Sequence, residues 1–305
     1  MSQENFQRNA ADLDRVKSQW SGHWSAVDLS RELSSCESDE LLPVLRRHLP
    51  KDAPIIEGGA GLGKWAIFLT GLKYRIIGVE IVRECVELVK RNFPEVDMRT
   101  GNILDLEFPT GTFGAYISIG VIEHFRPGPD AAVREAFRVL KPGGKFIVTV
   151  PAMNLARTAL RPLQDALRPL KEVGFLRKLF GKQPLSPDRP KRVPEERPSG
   201  GFPEELHPVF HAQPDAGLTF FEYRFPREAF RECLLRNGFE ILELEPIQND
   251  QGFLEDFIYP FFPVEKVEAP GSRVKRAAAM VSGFLRRVDP RICNHQFLCV
   301  ARKPA

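Results

Sequence analysis

The sequence has little that would cross-link it, anchor it in a membrane or draw it to a polyanion. Its five cysteines, Cys36, Cys85, Cys233, Cys293 and Cys299, include no C-x-x-C pair. Their scatter resembles the reduced thiols of a cytosolic protein more than a disulfide frame or a cysteine zinc site. No apolar run reaches the roughly 18 residues that a transmembrane helix needs. Met1-Ser2-Gln3-Glu4 opens a polar N-terminus with no apolar core of a secretion signal. The expected location is the cytoplasm. Formal net charge is only +3, so the total makes no electrostatic case for nucleic acid, and no internal repeat is visible. What is present is 305 residues, 43% hydrophobic and 27% charged. That suits one large soluble α/β domain with additions, or two domains. The 26 prolines cluster, which points to a long irregular segment.

The chain is organised around Ile55-Ile56-Glu57-Gly58-Gly59-Ala60-Gly61-Leu62-Gly63. An apolar run leads into an acid and a glycine series, and Lys64 to Leu69 then reads as a helix with an apolar face. Glycine suits a backbone that turns with positive φ or lets a ligand approach. Strand, glycine turn and helix N-terminus together make a nucleotide-sized site. A dinucleotide fingerprint would need glycine at position 64. Lys64 stands there, and the third glycine is Gly63. Glu57 would repel a pyrophosphate but suits a cationic ligand. A glycine-rich turn without a ligand is the plainer alternative.

Tyr74 to Glu80 reads as a second buried strand ending in an acid. A carboxylate at that tip can accept hydrogen bonds from both hydroxyls of a ribose, with Ile81 beside it. Asp97 to Asp105 is a third strand and its exit loop. Phe113 to Phe125 is a fourth strand and its tip, where Gly120, Glu123 and His124 face the ligand end of a parallel sheet. His124 can accept a proton near neutral pH, with Glu123 at its side; the alternative is a structural histidine. A helix over 129–140, a stop at Lys141-Pro142-Gly143-Gly144 and a strand from Lys145 to Pro151 follow. Continuous apolar strands with short loops predict a parallel sheet covered by helices on both faces.

Four stretches carry a family resemblance: E-x-G-x-G-x-G from Glu57, the Glu123-His124 pair, RVLKPGGKFIVTVP over 138–151, and YRFPREAFRECLLRNGFEILELEP over 223–246. Together they resemble class I S-adenosylmethionine (SAM) methyltransferases, in the broad type 11 group with small-molecule and lipid-quinone methylating members. The resemblance implies an α/β, Rossmann-like, seven-stranded and mostly parallel sheet with an antiparallel last strand, plus helical insertions. It implies methyl transfer from SAM to an O, N or C nucleophile on a small-molecule or lipid-like acceptor. It implies a cofactor site of Glu57, Gly59, Ala60, Gly61, Gly63, Glu80, Ile81, Asn102, Ile103, Leu104 and Gly120. Asn102 stands where the family often places an acid on the adenine amino group, and Ile103 and Leu104 would wall the ring. Gly114 likewise replaces a usual acid.

The expected organisation is an N-terminal helical cap (1–50), a SAM-binding core (51–153), a basic proline-rich insertion (154–224) and a C-terminal part of the core with a second helical insertion (225–305). Trp20 and Trp24 read as packing or as a lid, with Trp24 on the substrate side. In 154–182, Arg157, Arg161, Arg168, Lys171, Arg177, Lys178 and Lys182 face only Asp165 and Glu172. That stretch reads as a lid, or as a peripheral contact with anionic lipid. His207 and His211 have metal-ligand spacing, but Pro208 between them disfavours a helix. The expectation is no metal, with both lining the substrate side. Arg273, Lys275, Arg276, Arg286 and Arg287 flank a second basic amphipathic helix. Two rival functions remain: a nucleic-acid methyltransferase, disfavoured by Ile122-Glu123-His124-Phe125 at the strand-four tip, and a non-catalytic binding protein on the same fold.

Overall fold

The structure, a computed structural model, describes residues 27–160, 202–213, 217–260, 262–269 and 271–305, with Lys17, Trp20, Ser21, Gly22 and Trp24 before them. Most of the basic insertion, 161–201, lies outside the described residues, and with it most of the expected lid or lipid contact.

The strands in chain order are β1 (Ile55–Gly58), β2 (Ile76–Glu80), β3 (Asp97–Thr100), β4 (Phe113–Ile119), β5 (Leu140–Pro151), β6 (His207–Gln213), β7 (Gly217–Arg224), β8 (Glu240–Ile247) and β9 (Gln296–Arg302). Seven of them form one sheet in the order β3-β2-β1-β4-β5-β9-β8. β1 is central, pairing in parallel with β2 at Ile55–Ile76 and with β4 at Ile55–Ala115. β9 runs antiparallel to both neighbours, with Cys299 opposite Val148 of β5 and Leu244 of β8. The expected mostly parallel sheet with an antiparallel last strand is observed.

The period of two along each strand divides the core. Tyr116, Phe146, Val148 and Cys299 face one side, where α5 (Asp130–Val139) and α6 (Arg227–Arg236) bring Val133, Ala136, Phe230 and Leu234. Ile55, Ile117, Ile147 and Val300 face the other, against Leu41, Leu42 and Leu45 of α2 (Leu41–His48) and Trp65 and Leu69 of α3 (Lys64–Gly71). α1 (Leu29–Ser35) precedes these, with Asp28 Oδ1 accepting from the backbone of Ser30 and Arg31 at its start. α4 (Arg83–Asn92) packs Val86 and Val89 beside β3. Helices thus cover both faces, as fully apolar parallel strands require.

Two additions flank this core. The stretch containing His207 and His211 is extended: β6 pairs antiparallel with β7, His207 opposite Arg224 and His211 opposite Thr219. After β8 come α7 (Asn249–Phe253), a π-helical turn at Leu254–Ile258, α8 (Val264–Val267) and α9 (Arg273–Val288). These share a small core of Phe253, Leu254, Val267, Ala278 and Cys293 with Ala156. All five cysteines are free and buried. Among the described residues no helix is long and apolar enough to cross a membrane.

Arg157 corrects one expectation. The sequence pattern places it among the cations of a lid or lipid-facing stretch, but its side chain is only 4% exposed. Its Nε donates to Asp256 Oδ1 at 2.7 Å and its Nη1 to the Ala152 carbonyl at 2.7 Å, and its Nη2 lies 3.3 Å from Glu255 Oε2. Asn154 donates to the same Asp256 and to the Asn294 carbonyl. The network clamps the end of β5 to the C-terminal insertion. Arg157→Ala strands a buried carboxylate and is expected to cost about 3–5 kcal/mol in chemical denaturation. A cation on the protein surface would cost almost nothing there.

Candidate active site

A cleft of about 330 Å³ opens at the carboxyl ends of β1, β2 and β4, where parallel strands deliver their loops. Its floor is the glycine turn. Gly59, Gly61 and Gly63 all have positive φ, at 73°, 55° and 72°. A Cβ on Gly59 would run into Val121, and one on Gly61 into the Trp24 indole. Gly63 departs from its expected role. It is the N-cap of α3 and lies over Met98 and Val89, so it shapes the helix start and is not in the cleft wall.

A glycine N-cap has no side chain to accept from the first helical N–H groups. Glu57 supplies the missing acceptor: its Oε2 takes the Ala66 N–H at 2.8 Å. One acid thus joins strand end, turn and helix. Burial pushes Glu57 up to about 8; the Ala66 N–H opposes that rise, nearby Glu80 adds to it and Lys64 opposes it. Glu80 is held differently. Oε2 accepts from Gly61 N at 2.8 Å, and Oε1 from Ile81 N at 2.9 Å and Val82 N at 3.0 Å. Burial raises its pKa against all three donors. With one bond on Oε2, the carboxylate keeps acceptor capacity for a hydroxyl.

Ala60, Ile81, Asn102 and Ile103 line the cleft. Asn102 Oδ1 accepts from Leu104 N at 2.9 Å, which fixes the amide in the loop. Leu104 does not reach the wall; it packs against the main core.

Opposite the acids stands the tip of β4. Gly120, with φ of 67°, donates its N–H to Thr149 Oγ1 at 3.2 Å. Val121, His124 and Phe125 complete that wall. His124 is buried, and its Nδ1 lies 2.8 Å from the Phe221 carbonyl of β7. A carbonyl only accepts, so the neutral ring carries its proton on Nδ1 and leaves the acceptor role to Nε2. Nε2 lies 3.8 Å from Glu123 Oε1. Glu123 is 1% exposed, and its Oε2 has no hydrogen-bond partner among the described residues. Burial, with Glu222 adding, holds Glu123 well above the usual carboxylate range. Glu123, His124 and Glu222 each offer an atom within 4.8 Å of the others, so these three could admit a small cation.

Trp20 and Trp24 both line the cleft and stack at 5.6 Å. Trp20 also meets the His124 ring edge-on at 4.9 Å. His207 and His211 do not line it. His211 stacks on Phe221 at 3.9 Å, one residue removed from the cleft, so hairpin pairing replaces the direct role expected of it. Gln248 and Gln296 line the cleft unforeseen. They arrive through the β8–β9 pairing, which sets Ile247 opposite Gln296. Gln296 Oε1 is buried without a partner among the described residues. A lone glutamine 233 positions from Gly63 (296 − 63) gives no local signal. Lys64 reaches Asp39 at 2.8 Å and Glu32 at 3.9 Å, tying the N-terminal helices to the turn.

Comparison with known proteins agrees with this geometry. Residues 56–148 match the type 11 methyltransferase domain model. A probable S-adenosylmethionine-dependent methyltransferase of Mycolicibacterium smegmatis is 35% identical over 97 residues, 32% of this chain and 37% of that protein. The ubiquinone biosynthesis O-methyltransferase of Xanthomonas axonopodis pv. citri is 26% identical over 155 residues, 49% of this chain and 64% of that protein. The chain thus spans less than two thirds of the length of these curated relatives. A SAM-dependent methyltransferase structure from Methanosarcina mazei superposes with a TM-score of 0.52 at 16% identity, covering 86% of this chain and 97% of that one; at that identity it shows the fold alone. Over residues 56–148 the chain is thus similar to the type 11 family of SAM-dependent methyltransferases. The cofactor of that family is SAM.

The residues fit it. Glu57, buried with a single donor, suits a ligand that brings positive charge. Glu80 keeps a lone pair for a ribose hydroxyl, Ile81 and Ile103 offer apolar walls, and Gly120 leaves space that a Cβ would take.

The sign of the pH dependence follows. A cation favours ionised Glu57, so SAM affinity should rise with pH up to about 8 and level off above, by at most about tenfold per pH unit. Calorimetric titration across that range checks it; S-adenosylhomocysteine, without the sulfonium charge, should rise less. Because its folded pKa is raised, Glu57 contributes stability that is full below the unfolded value of 4.5 and is lost as pH climbs towards 8. Glu57→Gln should flatten both trends.

Proposed function

We propose that this protein transfers a methyl group from SAM to a small-molecule or lipid-like acceptor. The observation that supports this most is the pairing across one cleft of two buried acids, Glu57 and Glu80, with a histidine whose Nδ1 is held by a backbone carbonyl. When bound, SAM supplies a methyl on positively charged sulfur, already activated for displacement. The chain's own residues then have three tasks: alignment, exclusion of water and reception of a proton.

Glu57, Glu80, Asn102 and Ile103 hold and orient the cofactor. Trp20 and Trp24 cover the turn and exclude water. His124 Nε2 receives the proton of an O–H or N–H nucleophile, and Glu123, 3.8 Å away, stabilises the resulting imidazolium. The name of the ubiquinone biosynthesis relative supports a lipid-like acceptor, as does the aromatic wall of Trp20, Trp24 and Phe125.

Two measurements test this. Purified protein, methyl-labelled SAM and a small-molecule extract should yield label in an organic-soluble product; label in RNA or protein, or no transfer, would overturn the reading. Glu80→Gln should weaken SAM binding by about 1–3 kcal/mol in calorimetry through lost ribose hydrogen bonds.

His124→Ala should lower kcat by about 10²–10⁴ and remove the acidic limb of the kcat profile, with SAM affinity little changed. An unaltered profile would remove His124 as the base.

A further inference from the structure

We infer that α9 is a docking helix for an anionic phospholipid surface. It is the described element with the most exposed apolar surface: Met280 is 78% exposed, Phe284 65%, Val288 64% and Val281 46%. Met280, Phe284 and Val288 are four residues apart, so they form one stripe along the helix. The opposite side is committed to the protein. Ala278 and Ser282 are buried, and Val274 and Leu285 pack into the small C-terminal core.

Charge selects the occupant. The helix, RVKRAAAMVSGFLRRV, contains five cations and no acid. Lys275 is paired with Glu268, and Arg286 lies 3.6 Å from Glu40. Arg273, Arg276 and Arg287 have no carboxylate partner among the described residues. At 100° per residue they fall on or beside the Met280–Phe284 line. Apolar side chains edged by arginine match an acyl boundary under phosphate headgroups, with the aliphatic stems adding apolar contact. A second copy fits worse, since a two-fold contact would set the same arginines face to face. At about 1.5 Å per residue the 16 residues span about 24 Å. That is too short to cross a bilayer, so the helix lies in its surface.

The helix is joined to the cleft. Ser282 Oγ is hydrogen-bonded to Asp250 of α7, two residues beyond Gln248 in the cleft wall. Docking would therefore hold the site at the surface that stores lipid-like acceptors. This last step rests on the proposed function; the docking itself is read without turnover.

The test is co-sedimentation of the full chain with vesicles of equimolar phosphatidylglycerol and phosphatidylcholine at low salt. Binding is expected there and not with phosphatidylcholine alone. Arg276→Glu with Arg287→Glu should weaken it at least about thirtyfold, and Met280→Asp with Phe284→Asp should weaken it about tenfold or more. All four residues are exposed, and unchanged melting curves would show that the variants fold. No binding of the intact chain overturns the proposal. So does binding that survives both double variants, which would assign the contact to another segment. An apolar variant that turns a dimer into a monomer in sedimentation velocity, with vesicle binding intact, would assign the face to a second copy and also overturn it.

Discussion

Two carboxylates buried at the ends of adjacent parallel strands are the constraint on which this site depends. Removing an ionised carboxylate from water costs several kcal/mol unless donors replace the lost hydration. The described residues supply four such donors, distributed unevenly. Glu80 takes three backbone N–H groups, from Gly61, Ile81 and Val82. Glu57 takes one, from Ala66. The better-supplied acid shapes the turn; the poorer one is left short of compensation, and its pKa shows it. A positive ligand is the group that corrects the shortfall. The positive φ at Gly59, Gly61 and Gly63 serves the same arrangement, because it aims the N–H groups of Gly61 and Ala66 back at the acids.

A second under-compensated acid, Glu123, is buried behind the far wall of the cleft and does not line it. Glu123 has an unpartnered oxygen, and its neighbour Glu222 is pushed up by burial as well. A proton received on His124 Nε2 would place a positive charge 3.8 Å from Glu123, which lowers the cost of ionising that acid. One side of the cleft is thus suited to a positive charge that a ligand brings, and the other to a positive charge formed on His124.

Much of this was legible in the chain and some was not, for reasons that differ by residue. β1, β2, β4 and β5 are continuous apolar runs, and a run buried on both faces announces itself locally. Glu57 and Glu80 were legible because each ends such a run. Gly63 was assigned to the ligand because its spacing fits, yet spacing cannot separate a glycine that clears space from one that only turns a helix. The β6–β7 hairpin was hidden: His207-Pro208-Val209-Phe210 carries no strict alternation, and the pairing is set by contact with the core, including the Tyr223 hydroxyl on the Arg126 carbonyl. Arg157 looked like one of many surface cations because its partners, Asp256 and Glu255, lie about a hundred residues away.

The hidden parts share a location. The hairpin backs the His124 wall of the cleft, the N-terminal tryptophans cover the glycine turn, and Gln248 and Gln296 come from the C-terminal part. The wall that holds Glu57 and Glu80 is made from loops of adjacent strands, so short sequence windows contain it. The rest of the cleft is assembled from segments far apart in the chain. His124 shows the consequence. Its position at the β4 tip is local, but its tautomer is fixed by the Phe221 carbonyl, 97 residues away. A change in the hairpin alone, with every residue of the glycine turn intact, would therefore free the imidazole to rotate or to exchange tautomers. The proton-accepting face of His124 would change while Glu57 and Glu80 kept their backbone donors, so the two walls of the cleft can vary independently on one fold.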